Sequence, residues 1–211
     1  MEHSVYTIGH STQSQDRFIS LLHAAKIDVV TDVRSSPYSR MNAQFNRDEL
    51  KQRLKKENIK YLFLGKELGA RSNHDCVYVR GQAKYELIAQ TESFQDGIKR
   101  VVEGAKKYRV ALMCAEKEPL ECHRTILVSR KLIEHGLTVC HILNDGTTES
   151  HDHALDRLVA RLGIPPEDML RPRSQVVEEA YDKQGLEIAY RDPEKAIEAS
   201  YRKGDGTEFY P

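Results

Sequence analysis

Two cysteines, a histidine and an arginine stand close together in the segment VALMCAEKEPLECHRTILVSR, residues 110–130. An apolar run ends at Cys114, and Cys122, His123 and Arg124 open a later amphipathic run. A cysteine beside cations and near a helix N-terminus favours its thiolate, which is both the nucleophilic and the metal-binding form. The segment therefore predicts a reactive thiol at Cys122, at Cys114 or at both. The competing interpretation is that the two cysteines are small buried core residues.

Three kinds of chemistry remain open for Cys114 and Cys122. A catalytic thiolate would take His10 or His123 as its base. A reversible disulfide would close across the loop between the two cysteines. A metal site would recruit the same histidines, yet seven residues separate the cysteines and the chain contains no CxxC pair. Because zinc ribbons and fingers use close-paired cysteines, we assign no metal ligands and favour the thiolate.

The elements that must position these residues alternate through most of the chain. Runs of β-branched and apolar residues predict strands, and amphipathic runs between them predict helices; the strand runs are VYTIGHS, IDVVTDVR, IKYLFLG, YRVALMCA and LTVCHILND. This alternation predicts an α/β fold, a mostly parallel, Rossmann-like sheet of about five strands with flanking helices. We assign residues 1–165 to this domain. For the polar, weakly helical residues 166–211 we expect a C-terminal extension that lies largely in solvent.

Parallel strands end at one edge of a sheet, and open α/β folds bind ligands at that edge. Four of the predicted strands run into residues that suit catalysis or anion binding. We predict that the catalytic groups are Cys114, Cys122, His10, His123, Glu116 and Asp32. Within this set Glu116 and Asp32 orient the cysteine and histidine side chains. We predict that the anion-binding groups are Gly9, Ser11, Arg34, Arg40, Gly69 and Arg124.

The predicted anion-binding roles have a physical basis and, for some residues, a plain alternative. Arg34 and Arg124 can hold a phosphate or carboxylate through paired hydrogen bonds, and helix N-termini favour the same anions. Ser11 can instead cap the helix that follows it. Arg40 can be an ordinary solvated surface residue, and Asp32 can be a structural acid that orients Arg34.

Four blocks of the sequence belong together: YTIGHS (residues 6–11), DVRSSPYSR (32–40), LGKELGA (64–70) and CAEKEPLECHR (114–124). In combination they resemble the bacterial and archaeal family catalogued as domain of unknown function 488. The resemblance covers roughly residues 4–145 and implies the same α/β fold. It implies no particular activity. The positions that match the family's signature are Gly9, His10, Asp32, Arg34, Gly69, Cys114, Glu116, Cys122, His123 and Arg124.

The bulk composition limits the partners that the chain can have. Lys and Arg (32) balance Asp and Glu (32), so no global positive field points to nucleic acid or an anionic membrane. The N-terminus lacks the features of a signal peptide, and no apolar run approaches membrane-spanning length. We therefore expect a cytoplasmic protein without a membrane partner, whose four cysteines are thiols rather than a disulfide framework.

The leading hypothesis is an enzyme, a Cys/His-dependent transferase or hydrolase with a small anionic substrate. That substrate would be phosphorylated and derived from a nucleotide or a nucleic acid, while the cofactor and the oligomeric state stay open. One alternative is a non-catalytic module that binds nucleic acid or a protein through the surface from Arg34 to Lys60. Another is a thiol-redox or metal-stabilised regulatory module in which Cys114 and Cys122 stabilise or switch their loop.

Overall fold

Strands and helices alternate in the computed structural model, which describes residues 3–197. In chain order the strands are β1 (Ser4–Gly9), β2 (Val29–Asp32), β3 (Lys60–Phe63), β4 (Tyr78–Val79), β5 (Gln82–Ala83), β6 (Val110–Cys114), β7 (Thr138–Ile142) and β8 (Thr148–Ser150). The α-helices are α1 (Gln15–Ala24), α2 (Arg47–Lys56), α3 (Gly65–Leu68), α4 (Tyr85–Gln90), α5 (Glu92–Ala105), α6 (Arg130–Glu134), α7 (His151–Arg161) and α8 (Arg173–Ile188). Short 3₁₀ turns span Ala43–Phe45, Asp75–Val77 and Pro119–Glu121, and a π-helix spans Arg124–Ser129.

Six of the strands form one sheet in the order β3-β2-β6-β1-β7-β8, while β4 and β5 form a separate hairpin. Neighbouring strands of the large sheet run parallel, except that β7 and β8 pair antiparallel. The predicted α/β class and mostly parallel sheet are therefore confirmed. Strand β8 is not predicted from the sequence, because a strand of three residues is too short to show a period-two pattern.

Strand β6 lies between β1 and β2 and positions the candidate site. All five of its residues are buried, as expected for a central parallel strand covered on both faces. Its register places Cys114 opposite Gly9 and Met113 opposite Asp32. The pairing continues past the strands, because the His10 backbone N–H donates to the Cys114 carbonyl at 2.9 Å. The carboxyl ends of β1, β2 and β6 consequently lie side by side.

Helices cover both faces of the sheet and bury its side chains. On one face α1 and α2 pack their apolar stripes, among them Phe18, Leu22, Leu50 and Leu54, against the sheet. On the other face α5, α7 and α8 join a larger core around Leu112 of β6. Among the described helices, none combines the length and the apolar composition needed to cross a bilayer.

The C-terminal extension is more ordered than its polar composition predicts. Helix α8 buries Val176, Ala180, Tyr181 and Gln184, and it belongs to the same core as the sheet. Gln184 also donates from Nε2 to the Leu120 carbonyl at 2.9 Å, next to the cysteine loop. The expectation of a largely solvated extension is therefore wrong for α8, which packs one face against the domain although Leu186 is 50% exposed. Residues 198–211 of the predicted extension lie outside the described residues.

The segment after Cys122 departs from the regular helix that its spacing predicts. Cys122 is extended (φ −134°, ψ 138°) and lies before the helix, at which His123 is the N-cap residue. The chain then winds as a π-helix from Arg124 to Ser129 before α6 begins. The Ser129 hydroxyl donates to the Arg124 carbonyl at 2.7 Å, across this wider turn. Such π-turns occur often at functional sites.

Candidate functional site

Four side chains meet where β6 ends. Cys114 closes the strand, Glu116 follows in the loop, and Cys122 and His123 return to the same place after the 3₁₀ turn. One ligand atom from each, two sulfurs, an imidazole nitrogen and a carboxylate oxygen, lies within 4.8 Å of the others. Both sulfurs are 3.8 Å from Nδ1 of His123, and Sγ of Cys122 is 3.0 Å from Oε2 of Glu116. We call these four residues the thiol cluster.

A hydrogen bond to the backbone fixes the orientation of the His123 imidazole. Its Nε2 lies 3.0 Å from the Val33 carbonyl, which follows β2. A carbonyl only accepts, so Nε2 carries the hydrogen of that bond. In the neutral ring Nδ1 then carries a lone pair, and it is this nitrogen that faces Cys114 and Cys122.

The charges of the thiol cluster are strongly coupled. Burial raises the pKa of Cys122, but the hydrogen bond from Cys114 and the positive charges of Arg124 and His123 outweigh it and lower that pKa well below its ordinary value. Burial and the hydrogen bond to Cys122 raise the pKa of Cys114. Loss of hydration, followed by the charge of Cys122, raises the pKa of the Glu116 carboxyl. Burial lowers the pKa of His123, but the negative charge of Cys122 more than offsets it and raises that pKa overall. Cys122 is therefore the more acidic thiol of the pair.

Arg124 fastens the loop of the thiol cluster rather than facing a ligand. Its side chain is buried, and Nη1 and Nη2 donate to the carbonyls of Glu116 and Lys117 at 2.8 and 3.3 Å. Gly9 belongs to the same arrangement, because a Cβ there would lie 1.9 Å from the Glu116 carbonyl oxygen. The anion-binding roles predicted for Arg124 and Gly9 are therefore not supported by their positions. Both residues hold the loop against β1.

A second group of predicted residues forms a buried ion pair beside the thiol cluster. Arg34 donates from Nε and Nη2 to the two oxygens of Asp32 at 3.0 and 2.7 Å, and Tyr61 donates its hydroxyl to the same carboxylate. Nη1 of Arg34 lies 3.1 Å from Nε2 of His10, and Nη2 also donates to the Phe45 carbonyl. Within the described residues this leaves one Nη1 hydrogen of Arg34 without a partner.

His10 is held as a neutral ring in this arrangement. Its Nδ1 lies 2.8 Å from the Ser11 carbonyl and must donate, so Nε2 accepts from Arg34. The ring also stacks on Phe45, with centroids 4.4 Å apart. Burial, reinforced by the nearby charge of Arg34, lowers the pKa of His10 to about 4. Both ring nitrogens are occupied, so we assign His10 a positioning role.

A cleft of about 420 Å³ opens above these groups. Three members of the thiol cluster, Cys114, Glu116 and His123, line it. Its other walls include His10, Arg34, Ser36, Tyr38, Arg71 and Tyr190. Cys122 is the cluster member that does not line the cleft. The structure thus brings most of the predicted catalytic residues to the floor of one cavity.

The remaining predicted site residues lie apart from this floor. Ser11 adopts a positive φ of 48° in the turn after β1, and Ser14 caps α1. Gly69 packs against Ser35, whose hydroxyl oxygen would lie 2.4 Å from a Cβ at that position. Arg40 is exposed and does not line the cleft. None of these three predicted anion-binding residues lines the cleft.

The alternative binding surface from Arg34 to Lys60 carries both engaged and exposed positive charges, the exposed ones being Arg40, Lys51, Lys55 and Lys56. Arg34 is only 6% exposed. Arg53 is paired with Asp16 and Glu57, and Lys60 lies over the Tyr108 ring. Binding to a phosphate backbone requires several exposed cations, and α2 supplies three lysines of this kind, so this alternative stays a prediction.

Three groups at the site are not among the site residues predicted from the sequence. The Val33 carbonyl is a backbone atom, which no residue type reveals. The sequence places Tyr61 in a predicted strand and gives no sign of its hydrogen bond to Asp32. In the sheet, Tyr61 of β3 pairs with Val30 of β2. Arg71 follows the block LGKELGA directly and could have been found by extending that block by one residue.

The comparisons with known proteins agree with the recognised sequence blocks. The family model described as "Domain of unknown function DUF488" matches residues 14–131. The matched range includes the blocks that carry Arg34, Gly69 and the thiol cluster, and it begins after YTIGHS. Neither the search of curated proteins nor the search of solved structures gave a match.

Proposed function

Because this chain belongs to the DUF488 family, whose description names no activity, we propose a function from its own cleft: an enzyme that hydrolyses or transfers a group of a small anionic substrate. The observation that carries this proposal is the convergence of the thiol cluster on the cleft floor. Nucleophilic, acid–base and metal-binding groups rarely meet in a cleft without a chemical task. The reacting groups are Cys114, Glu116, Cys122 and His123.

The walls of the cleft support an anionic substrate. Arg34 lines the cleft and has one N–H left for a ligand, and the exposed Arg71 lines it too, over the Tyr190 ring. Guanidinium groups suit phosphate and carboxylate oxygens. Tyr38, 56% exposed on the rim, offers an aromatic face for a base. The volume also lies in the range of small-molecule sites. A phosphorylated, nucleotide-like molecule meets these conditions.

The first experiment measures binding to the cleft by isothermal titration with inorganic phosphate and with nucleoside monophosphates. Arg71→Gln should weaken binding about tenfold, because it removes one charged hydrogen-bonding group. Arg173→Gln, a surface arginine on α8 paired with Asp156, is the matched control and should bind normally. If no phosphate compound binds, or if both variants bind like the wild type, the phosphorylated substrate class is wrong.

The second experiment tests the reacting centre. Any compound that binds is offered as substrate, and product is followed by mass spectrometry. Cys114→Ser and Glu116→Gln should each lower turnover by at least about a hundredfold. Cys140→Ser changes a thiol on β7 outside the thiol cluster and should keep full turnover. Full activity in Cys114→Ser would remove the thiol cluster from the reaction.

A further inference from the structure

We propose that the thiol cluster is a zinc site, in which Cys114, Cys122, His123 and Glu116 bind one Zn²⁺ ion and Glu116 is the ligand on the cleft side. The inference deepens the proposed function, because it names the group through which the cleft floor acts. The ion binding itself can be measured without any substrate.

The distances within the cluster suit a single small ion. In a tetrahedral zinc site, with Zn–S near 2.3 Å and Zn–N near 2.0 Å, ligand atoms lie roughly 3.5 Å apart. The two sulfurs lie 3.8 Å from Nδ1 of His123, and the Cys122 sulfur lies 3.0 Å from the Glu116 oxygen. Small side-chain adjustments therefore bring all four atoms onto one ion.

The groups around His123 and Cys122 make the hydrogen bonds that typically support metal ligands. A ligating histidine usually donates its other ring N–H to a carbonyl or carboxylate, which fixes the tautomer that binds the ion. His123 does so through Nε2 to the Val33 carbonyl at 3.0 Å, and Nδ1 faces the sulfurs. The backbone N–H of Arg124 lies 3.5 Å from the Cys122 sulfur, so that sulfur also receives a donor.

A divalent cation would balance the charge of the cluster once its cysteines and glutamate ionise. Two cysteines and a glutamate become three anions on ionisation, and they share a space in which both cysteine side chains are buried. Such crowding is costly without a compensating positive charge. The guanidinium of Arg124, fastened 2.8 Å from the Glu116 carbonyl, supplies one charge. A divalent ion supplies the other two, which makes the assembly neutral.

The donor set selects the kind of ion. Thiolates are soft ligands and disfavour Mg²⁺ and Ca²⁺, which prefer oxygen. Two sulfurs, one imidazole and one carboxylate in a compact arrangement suit tetrahedral Zn²⁺. The seven residues between the cysteines lie outside zinc-ribbon spacing, but this fold closes the distance by returning the chain to β6 through a 3₁₀ turn.

Glu116 differs from the other three ligands in its exposure. Both cysteines and His123 are buried, whereas the Glu116 residue is exposed and lines the cleft. Two cysteines and a histidine are a donor set of catalytic zinc sites, in which the fourth position takes water or substrate. Glu116 is accordingly the ligand that a molecule in the cleft can replace.

The test uses the full chain, stripped with a chelator and then titrated with Zn²⁺ or Co²⁺. Elemental analysis of the purified protein should give about one zinc per chain, and Co²⁺ should produce thiolate-to-cobalt charge-transfer absorption. Cys114→Ser and Cys122→Ser should lose that absorption, while Cys140→Ser keeps it. Glu116→Gln should retain the absorption with about tenfold weaker affinity.

Two results would overturn the zinc site. One is a wild-type chain that shows no charge-transfer absorption at saturating Co²⁺. The other is a Cys122→Ser or Glu116→Gln variant that binds Co²⁺ as tightly as the wild type. Because a cysteine variant can fail to fold, circular dichroism accompanies each titration. Glu116→Gln, at an exposed residue, keeps the test decisive in that event.

The outcomes also separate the zinc site from the proposed enzyme. A chain that binds one Zn²⁺ but neither binds nor converts phosphorylated compounds keeps the zinc site and overturns the proposed function. A metal-free chain whose turnover still depends on Cys114 keeps the enzyme and overturns the zinc site.

Discussion

The guanidinium of Arg34 donates two hydrogen bonds to the carboxylate of Asp32, at 3.0 and 2.7 Å. Both side chains are almost wholly buried. The two residues are separated by one position, at the point where β2 ends beside β6. Removing one member of a buried ion pair is strongly destabilising, because the other charge is left without a partner. The pair therefore ties the stability of the fold to the geometry of the cleft.

Asp32→Asn should lower the free energy of unfolding by about 3 kcal/mol, because it leaves the Arg34 charge buried. Replacing both partners, with Asp32→Leu and Arg34→Met together, should cost less than the two single changes added. Urea unfolding of the wild type, of Asp32→Asn, of the single variants Asp32→Leu and Arg34→Met and of the double variant measures both quantities. Strictly additive losses would mean that the two side chains are not energetically coupled.

Gly9→Ala should disturb the thiol cluster through the backbone. The added methyl group would meet the Glu116 carbonyl oxygen at 1.9 Å, so the loop and its bonds to Arg124 must shift. Overpacking of this kind costs about 1–3 kcal/mol. Thermal and urea unfolding measure the loss of stability, and Co²⁺ titration measures the accompanying loss of metal affinity.

Gly104→Ala is the matched control for that substitution. Gly104 lies near the end of α5, where a methyl group would meet only a Val110 side-chain carbon at 3.8 Å among the described atoms. Alanine is favoured over glycine in a helix, so this variant should gain about 0.5–1 kcal/mol. A Gly9→Ala variant as stable as the wild type would show that the loop accommodates the methyl group.

The sequence was sufficient for the five parallel strands of the sheet, though not for β8, and for the edge at which the site lies. Buried central strands such as β6 are uninterrupted apolar runs, so the run VALMC predicts a central strand. Because consecutive parallel strands end together, the neighbourhood of Cys114, Asp32 and His10 follows from topology alone. The adjacency of Cys122 and His123 likewise predicts a reactive thiol from the sequence alone.

The sequence was insufficient wherever a backbone atom or a distant element decides the role of a side chain. Arg124 has the charge of an anion ligand, yet carbonyls of its own loop take up both terminal nitrogens. The tautomer of His123 depends on the carbonyl of Val33, which any residue would supply. The π-helix after His123 has apolar spacing close to that of an α-helix, so periodicity does not reveal it.

Gln184→Met should loosen the connection between α8 and the loop that precedes Cys122. The amide donates to the Leu120 carbonyl at 2.9 Å in a buried position, and methionine fills similar space without a donor. Loss of such a bond costs about 1 kcal/mol of unfolding free energy. Gln175→Met, at an exposed position of the same helix, should have no effect beyond about 0.5 kcal/mol. Equal stabilities of the two variants in urea would contradict the anchoring role.

The stability of the fold should depend on pH because of a buried chain of hydrogen bonds that contains two histidines. Thr7, His141, His151 and Tyr181 are linked in that order from β1 to α8. Burial lowers the pKa of His151 from 6.5 to about 4, and burial together with the charge of His151 lowers the pKa of His141 well below 6.5. The folded chain therefore binds these protons less readily than the unfolded chain does.

Stability should accordingly fall as the pH drops below 6.5 and should continue to fall to about pH 4, where His151 itself takes up a proton. Each histidine contributes a slope of about 1.4 kcal/mol per pH unit in that window. His151→Gln cannot titrate, so its unfolding free energy, measured in urea between pH 7 and pH 5, should decline less steeply by about one proton. His74→Gln, exposed in the loop before β4, should leave the wild-type slope unchanged. If His151→Gln also kept that slope, the acid sensitivity would have to arise outside this chain of hydrogen bonds.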